Sequence, residues 1–331
     1  MKIGITMGDP KGVGPEIIAK AWKELDAEKR QQLCIYGDRA TLEAAAEMAG
    51  VQLDHRQMII TSSITPPVGN ISDPEAARVT AAALGAAFED VKAGNLDGLV
   101  TAPVNKFRLQ SEQPKFMGHT EYFANGTDTK DVTMMFASDA PCIAGFSCPL
   151  QPMRVALVTT HLPIKEVSKT LSIERVKTTI KHLHCALSHL FGLEVPRIGV
   201  LALNPHAGEE GALGSEEQTI IAPAIEEMRK EGCTALGPLV PDRVFSKINQ
   251  LDFDGIVAMY HDQGLIPMKL FYGMNTVNIT LGLPFVRTSP AHGTGEDIAW
   301  RDMASPESML AAIEMAEKMA NTTKCLKKDW D

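Results

Sequence analysis

Residues 73–103 read DPEAARVTAAALGAAFEDVKAGNLDGLVTAP, and this stretch decides the fold class. Asp73 and Glu75 form an acidic start, Pro74 stands near the first helical position, and Gly94 supplies a stop. Residues 73–94 are therefore expected to form a helix, and the short apolar DGLVTAP at 97–103 a strand. Upstream, KIGIT (2–6) reads as another strand, entering the glycine-rich turn MGDPKGVGPE (7–16). Downstream the rhythm repeats with MRVALVTTH (153–161), a helical stretch from about Ser172 to Phe191, and RIGVLALNPH (197–206). A helix is expected near Ser215, where Ser215 and Gln218 have capping-box spacing. DGIVAMYH (254–261) and TVNITLG (276–282) follow as strands, and a last helix enters through Ser305, Pro306 and Glu307.

Strands separated by helix-length segments argue for an α/β protein with a largely parallel, helix-covered sheet. Their number exceeds one compact sheet, so two α/β lobes are expected, residues 1–127 plus 280–331 and residues 128–279. The chain of 331 residues is long enough for both. Hydrophobic residues at 44% and charged residues at 22% suit a folded chain. The net charge of −9 argues against a nucleic-acid partner while leaving room for one basic pocket. No apolar run approaches the roughly 20 residues of a membrane span, and the opening lacks a signal-peptide pattern. A cytoplasmic protein with no membrane partner is expected. Cys34, Cys142, Cys148, Cys185, Cys233 and Cys325 form no CxxC pair, so neither a thiolate zinc site nor a disulfide framework is indicated.

Gly8, Gly12 and Gly14 can make a tight turn that approaches an anion, but the spacing is neither GxGxxG nor GxxxxGK[ST]. A purely structural turn is the competing reading. His161, His206 and His261 are more informative, because each closes an apolar strand or its short exit. Loops converge at the carboxyl ends of parallel strands, and three imidazoles can hold a divalent ion with positions left for substrate or water. Capping or core hydrogen bonding remains the bland alternative for each. His182, His184 and His189 lack this placement and read as solvated helix positions. Asp262 and Gln263 follow His261, where they either orient a ligand or shape a turn. His119 and Thr120 lie in MGHTEY, while Lys269, Asn278 and Arg287 form a spaced set of donors suited to phosphate or carboxylate.

The blocks MGDPxGVGPE, GHTE, TTH, LNPHAGExG, GPLxxD, AMYHDQG, VNITLGLPFxRTS and HGT, in order from Met7 to His292, resemble the PdxA family of pyridoxal phosphate synthesis. The resemblance implies a two-lobed α/β/α architecture related to isocitrate and isopropylmalate dehydrogenases, with NAD, or NADP, bound without a standard Rossmann fingerprint. It implies a homodimer with active sites completed by the partner subunit. It makes His161, His206 and His261 ligands of one divalent ion (zinc, magnesium, cobalt or manganese), and His119, Thr120, Lys269, Asn278 and Arg287 substrate-binding residues. Asp242, in GPLVPD, becomes an orienting or proton-handling residue, with a turn role as the alternative. The implied reaction is oxidation of 4-phosphooxy-L-threonine to 2-amino-3-oxo-4-phosphooxybutanoate, which decarboxylates to 3-amino-2-oxopropyl phosphate. Competing readings are a dehydrogenase of D-threonate or D-erythronate 4-phosphate, a metal-dependent hydrolase, and a non-catalytic metabolite-binding protein. One departure stands out. Where the family reads DHGTAxDIAG, this chain has Ala291 for the acid and Trp300 for the final small residue.

Overall fold

The computed structural model describes residues 1–63, 71–139, 152–247 and 253–328, the side chains of 324–328 excepted. Cys142 and Cys148, and the Cys325 side chain, lie outside the described residues. Two compact units make up the chain: Met1–Lys130 with Leu283–Asn321, and Asp131–Gly282 with Thr322–Asp331.

The first unit opens with β1 (Ile3–Thr6), α1 (Gly14–Glu24), α2 (Ala27–Gln31), β2 (Leu33–Asp38), α3 (Arg39–Ala49), β3 (Met58–Ser62), α4 (Asp73–Lys92) and β4 (Gly98–Thr101). Two helices, α5 (Lys106–Leu109) and α6 (His119–Gly126), follow. The second unit contains β5 (Thr133–Ser138), β6 (Met153–Leu157), α7 (Ile164–Thr170), α8 (Ile173–His189), β7 (Arg197–Leu201) and α9 (Ala222–Lys230). It continues through β8 (Thr234–Leu239), α10 (Pro241–Ser246), β9 (Gly255–Ala258), α11 (His261–Tyr272) and β10 (Val277–Leu281). The chain then passes through β11 (Val286–Pro290) to α12 (Glu307–Lys328).

In the first unit the strand order is β3-β2-β1-β4-β11, every pair parallel. The order reverses at β1, which puts a crevice at the carboxyl ends of β1 and β4. Local chemistry starts α4 as the sequence predicts. Ser72 accepts from Glu75 N, Ser72 N donates back to the Glu75 carboxylate, and Pro74 sits in the first turn. Its Leu84, Phe88 and Val91 are buried against Tyr36, Leu99 and Phe123, each such side chain contributing about 1.5–3 kcal/mol. Phe88, Tyr122, Phe123 and Phe285 form a cluster of tilted and edge-on rings that anchors α6.

The second unit has the order β10-β5-β6-β9-β7-β8. β6, β9, β7 and β8 are parallel, but β5 runs antiparallel to both β6 and β10. The sheet is therefore mixed rather than simply parallel, because a strand's own apolar pattern does not carry its direction. The capping box expected at Ser215 is replaced as well. Ser215 contributes its carbonyl oxygen to Gln218 N and Thr219 N, and a π-turn at Glu217–Ile221 leads into α9. Glu307 N does find Ser305 Oγ, at 3.3 Å, where the last helix begins.

Candidate active site

In the second unit, backbone bonds continue past the ends of β6 and β9. Val158 N donates to Ala258 O, and both Thr159 N and Thr159 Oγ1 donate to Met259 O. The paired exits bring the His161 and His261 rings together, with centroids 5.5 Å apart. Nδ1 of His261 is 2.7 Å from Asp262 Oδ1. An Nδ1–H donated to that carboxylate leaves the Nε2 lone pair for a ligand. The Phe136 ring lies edge-on to His261 at 5.8 Å, and its ladder partner is Asn278. Gln263, nearly buried, accepts from Met259 N at 2.6 Å and donates to Ala202 O at 2.8 Å. It thus ties the exit of β9, which carries His261, to that of β7, which leads to His206. Expected either to orient a ligand or to shape a turn, Gln263 is the stitch between two loops.

His206 opens a run of left-handed residues, with φ of 53° at His206, 55° at Ala207, 82° at Gly208, 42° at Glu209 and 56° at Glu210. Side chains other than glycine rarely adopt this conformation, and such strain persists only where surroundings enforce it. Buried Glu217 does so, accepting from Leu203 N at 2.8 Å, Asn204 N at 2.7 Å and Asn204 Nδ2 at 3.0 Å. Despite burial, these donors hold its carboxyl pKa below the usual range. Among the described residues, no three His, Cys, Asp or Glu side chains are grouped to hold one ion. The structure brings His161 and His261 together and does not group His206 with them. Adjacent imidazoles, one oriented by a carboxylate, are nevertheless a donor set that fits a borderline divalent cation.

Lys269 is half-buried on α11, donates to Gly273 O at 3.3 Å, and has its pKa lowered by burial. Asn278 has a buried Oδ1 with no partner among the described residues. Asp242 is exposed in the first turn of α10. The neighbouring histidines correct the solvated reading: His182 is half-buried with Nδ1 2.9 Å from Thr133 Oγ1, and His184 has a buried Nδ1. His189 is exposed.

In the first unit, His119 and Thr120 are the first residues of α6, after Gly118. The His119 ring stacks on Phe123 at 6.2 Å and meets Phe116 edge-on at 5.9 Å. Burial, reinforced by the Arg287 charge, pushes its pKa well below the ordinary value, so the ring is neutral at physiological pH. Its buried Nε2 has no partner among the described residues. Arg287 is itself buried. Burial lowers its pKa to about 10 against the opposing effect of Glu121, which leaves the guanidinium charged at neutral pH. A buried cation and an unanswered ring nitrogen near the start of a helix make an anion-binding arrangement.

The glycine turn after β1 serves packing. A Cβ on Gly14 would fall 2.4 Å from Met7 O, and one on Gly12 would fall 2.8 Å from Thr294 O. Val13 N donates to Thr294 O, while buried Glu16 accepts from Trp300 N and Ala304 N. The turn and the first turn of α1 are thus tied to the loop after β11. The acid ending β2, Asp38, caps α3 through Thr41 N and accepts from Ser62 Oγ; it is fully buried. Arg108 gathers Asp9, Asp73 and Glu296 around it. His292 pairs through Nε2 with Ser308 Oγ at 2.7 Å. Of the cysteines, Cys34 and Cys233 are buried thiols and Cys185 is half-buried.

The chain is similar over nearly its full length to known proteins. A 4-hydroxythreonine-4-phosphate dehydrogenase of Desulforapulum autotrophicum is 40% identical, the match covering 97% of this chain and 96% of that one. The crystal structure of 4-hydroxythreonine-4-phosphate dehydrogenase from Klebsiella pneumoniae matches with a TM-score of 0.78 at 35% identity, covering 96% of this chain and 99% of that one. A terephthalate 1,2-cis-dihydrodiol dehydrogenase from Burkholderia xenovorans LB400 matches with a TM-score of 0.65 at 26% identity, covering 98% of each chain. Residues 28–316 match the family described as pyridoxal phosphate biosynthetic protein PdxA, and the chain belongs to that family.

Proposed function

We propose that the chain is an NAD-dependent dehydrogenase that oxidises 4-phosphooxy-L-threonine to 2-amino-3-oxo-4-phosphooxybutanoate in pyridoxal phosphate synthesis. The product's ketone is beta to its carboxylate and accepts the electrons released on decarboxylation, giving 3-amino-2-oxopropyl phosphate. Family membership over residues 28–316 carries this reading, supported by the relative matched over nearly its whole length. NAD, or NADP, would supply the acceptor for hydride from carbon 3, and a divalent ion would supply Lewis-acid chemistry, held by the paired His161 and His261 with His206 as the third ligand that the family resemblance implies.

The protein's own groups bind and orient. Arg287 and Lys269 neutralise substrate anions, Asn278, His119 and Thr120 add directional hydrogen bonds, and Asp242 handles the proton. Asp262 fixes the His261 ring. The chain acts as a homodimer whose partner subunit completes each active site. Its fold is kin to isocitrate and isopropylmalate dehydrogenases, a reading supported by the β3-β2-β1-β4-β11 order without a GxGxxG turn. No helix among the described residues is long and apolar enough to cross a membrane. A cytoplasmic location is the one proposed for a reaction on a phosphorylated metabolite.

NADH production across aminated and hydroxylated four-carbon phosphates tests the assignment. The expected outcome is the highest kcat/KM with the aminated substrate. A preference for D-threonate or D-erythronate 4-phosphate would move it to the neighbouring dehydrogenase activity. Hydrolysis without NADH formation would overturn the dehydrogenase reading.

A further inference from the structure

Arg287 is the second residue of β11 and pairs in the ladder with Leu99 of β4. Its backbone therefore lies early in the strand, whereas ligand sites on parallel sheets form at the carboxyl ends. The side chain spans that gap. Nε donates to Thr101 Oγ1 at 3.2 Å, and Nη2 donates to the same oxygen at 2.6 Å. Thr101 ends β4, two residues beyond Leu99 and on the same face of the sheet. It is fully buried. Two donors from one edge of a planar group meeting one oxygen set both the reach and the rotation of that plane.

The guanidinium held in this way acts electrostatically on His119, whose buried Nε2 has no partner among the described residues. His119 begins the eight-residue α6, and the Gly118 cap offers no side-chain bond to its first turn. We propose that Thr101 is a positioning residue for substrate recognition: by holding the Nε–Nη2 edge of Arg287, it directs the guanidinium to the substrate anion near the start of α6. This rests on the substrate-binding role proposed for Arg287. Thr101 acts only through that arginine. Valine would keep the β-branched shape but remove the acceptor, so the guanidinium would turn toward other oxygens, whereas serine would retain the acceptor.

Steady-state kinetics with 4-phosphooxy-L-threonine and NAD on T101V, T101S, R287K and T101V/R287K tests the proposal, with thermal unfolding in parallel. A lost hydrogen bond to a charged group corresponds to roughly tenfold or more in binding. T101V should therefore raise substrate KM about tenfold while leaving NAD KM within about twofold. T101S should stay within about threefold of the parent, and the double variant should be little worse than R287K. A normal substrate KM in T101V, equal defects in T101V and T101S, or independent multiplication in the double variant would overturn the Thr101 role. If R287K is defective and T101V is not, only Thr101's role falls. If R287K itself has a normal substrate KM, the Arg287 reading falls and takes the Thr101 proposal with it. Should T101V fail to fold, T101C offers similar volume with a weak sulfur acceptor; it should show an intermediate rise in substrate KM, and a normal value there would equally overturn the proposal.

Discussion

The indole Nε1 of Trp300 donates to the backbone oxygen of Pro10 at 2.9 Å, tying the loop after β11 to the glycine turn after β1. Trp300 has a φ of 61°, a conformation that costs a residue other than glycine about 1–2 kcal/mol. Packing on Ala19, Ala45 and Ala49, together with the bond from Trp300 N to Glu16, offsets that strain. W300G should therefore lower unfolding stability by about 1–3 kcal/mol even though glycine relieves the backbone. W300F should lose about 1 kcal/mol through the missing indole bond. Urea unfolding of both variants checks this, and a W300G protein as stable as the parent would show that the latch contributes nothing.

Cobalt titration of metal-free protein reads the paired histidines directly. H161A and H261A should each weaken Co²⁺ binding about a hundredfold, and D262N about tenfold, because the carboxylate orients the His261 ring at 2.7 Å. Unchanged affinity in H161A and H261A would remove the ion from this place.

The left-handed turn depends on Glu217. Replacing it by glutamine sets an NH₂ against the Asn204 amide and loses charge-assisted acceptance from the backbone of Leu203 and Asn204. E217Q should cost about 2 kcal/mol. G208A should also destabilise, because Gly208 has a φ of 82° and its Cβ would meet Glu217 Oε2 at 2.8 Å. Equilibrium unfolding measures both effects; parental stability in E217Q would contradict the clamp.

His119 and His182 have pKa values lowered chiefly by burial. An unfolded imidazole titrates near 6.5, so below that pH the unfolded chain holds more protons than the folded one. Stability associated with these groups is complete above about pH 6.5 and declines as the pH falls toward their folded values. Tm measured from pH 8 to pH 5 should decline in acid, with H182N giving a shallower slope. Identical slopes would exclude His182 as a contributor.

For Asp242, exposed in the first turn of α10, the proton-handling proposal predicts at least about a hundredfold lower kcat in D242N, with little change in Tm. A parental kcat would leave Asp242 with only its place at the helix start.

The strand exits at His161 and His261, the acidic, Pro74-led start of α4 and the Ser305 start of α12 were legible because apolar periodicity and helix-start chemistry are settled within a few residues. Pro74 favours a first helical turn by its own ring, and a strand's apolar pattern needs only its own side chains. The antiparallel course of β5 was not legible, since direction is decided by the neighbours a strand pairs with. Nor was the turn at 206–210, where Gly208 alone favours positive φ and enforcement comes from Glu217, several residues downstream. Residues 101 and 287 have no local relation at all, and parallel pairing of β4 with β11 alone places the Thr101 oxygen within reach of the guanidinium. Local pattern and family resemblance pointed to the candidate residues. Tertiary structure decided their orientation, neutralisation and burial, because hydrogen bonds and desolvation depend on groups that meet only after the chain has closed.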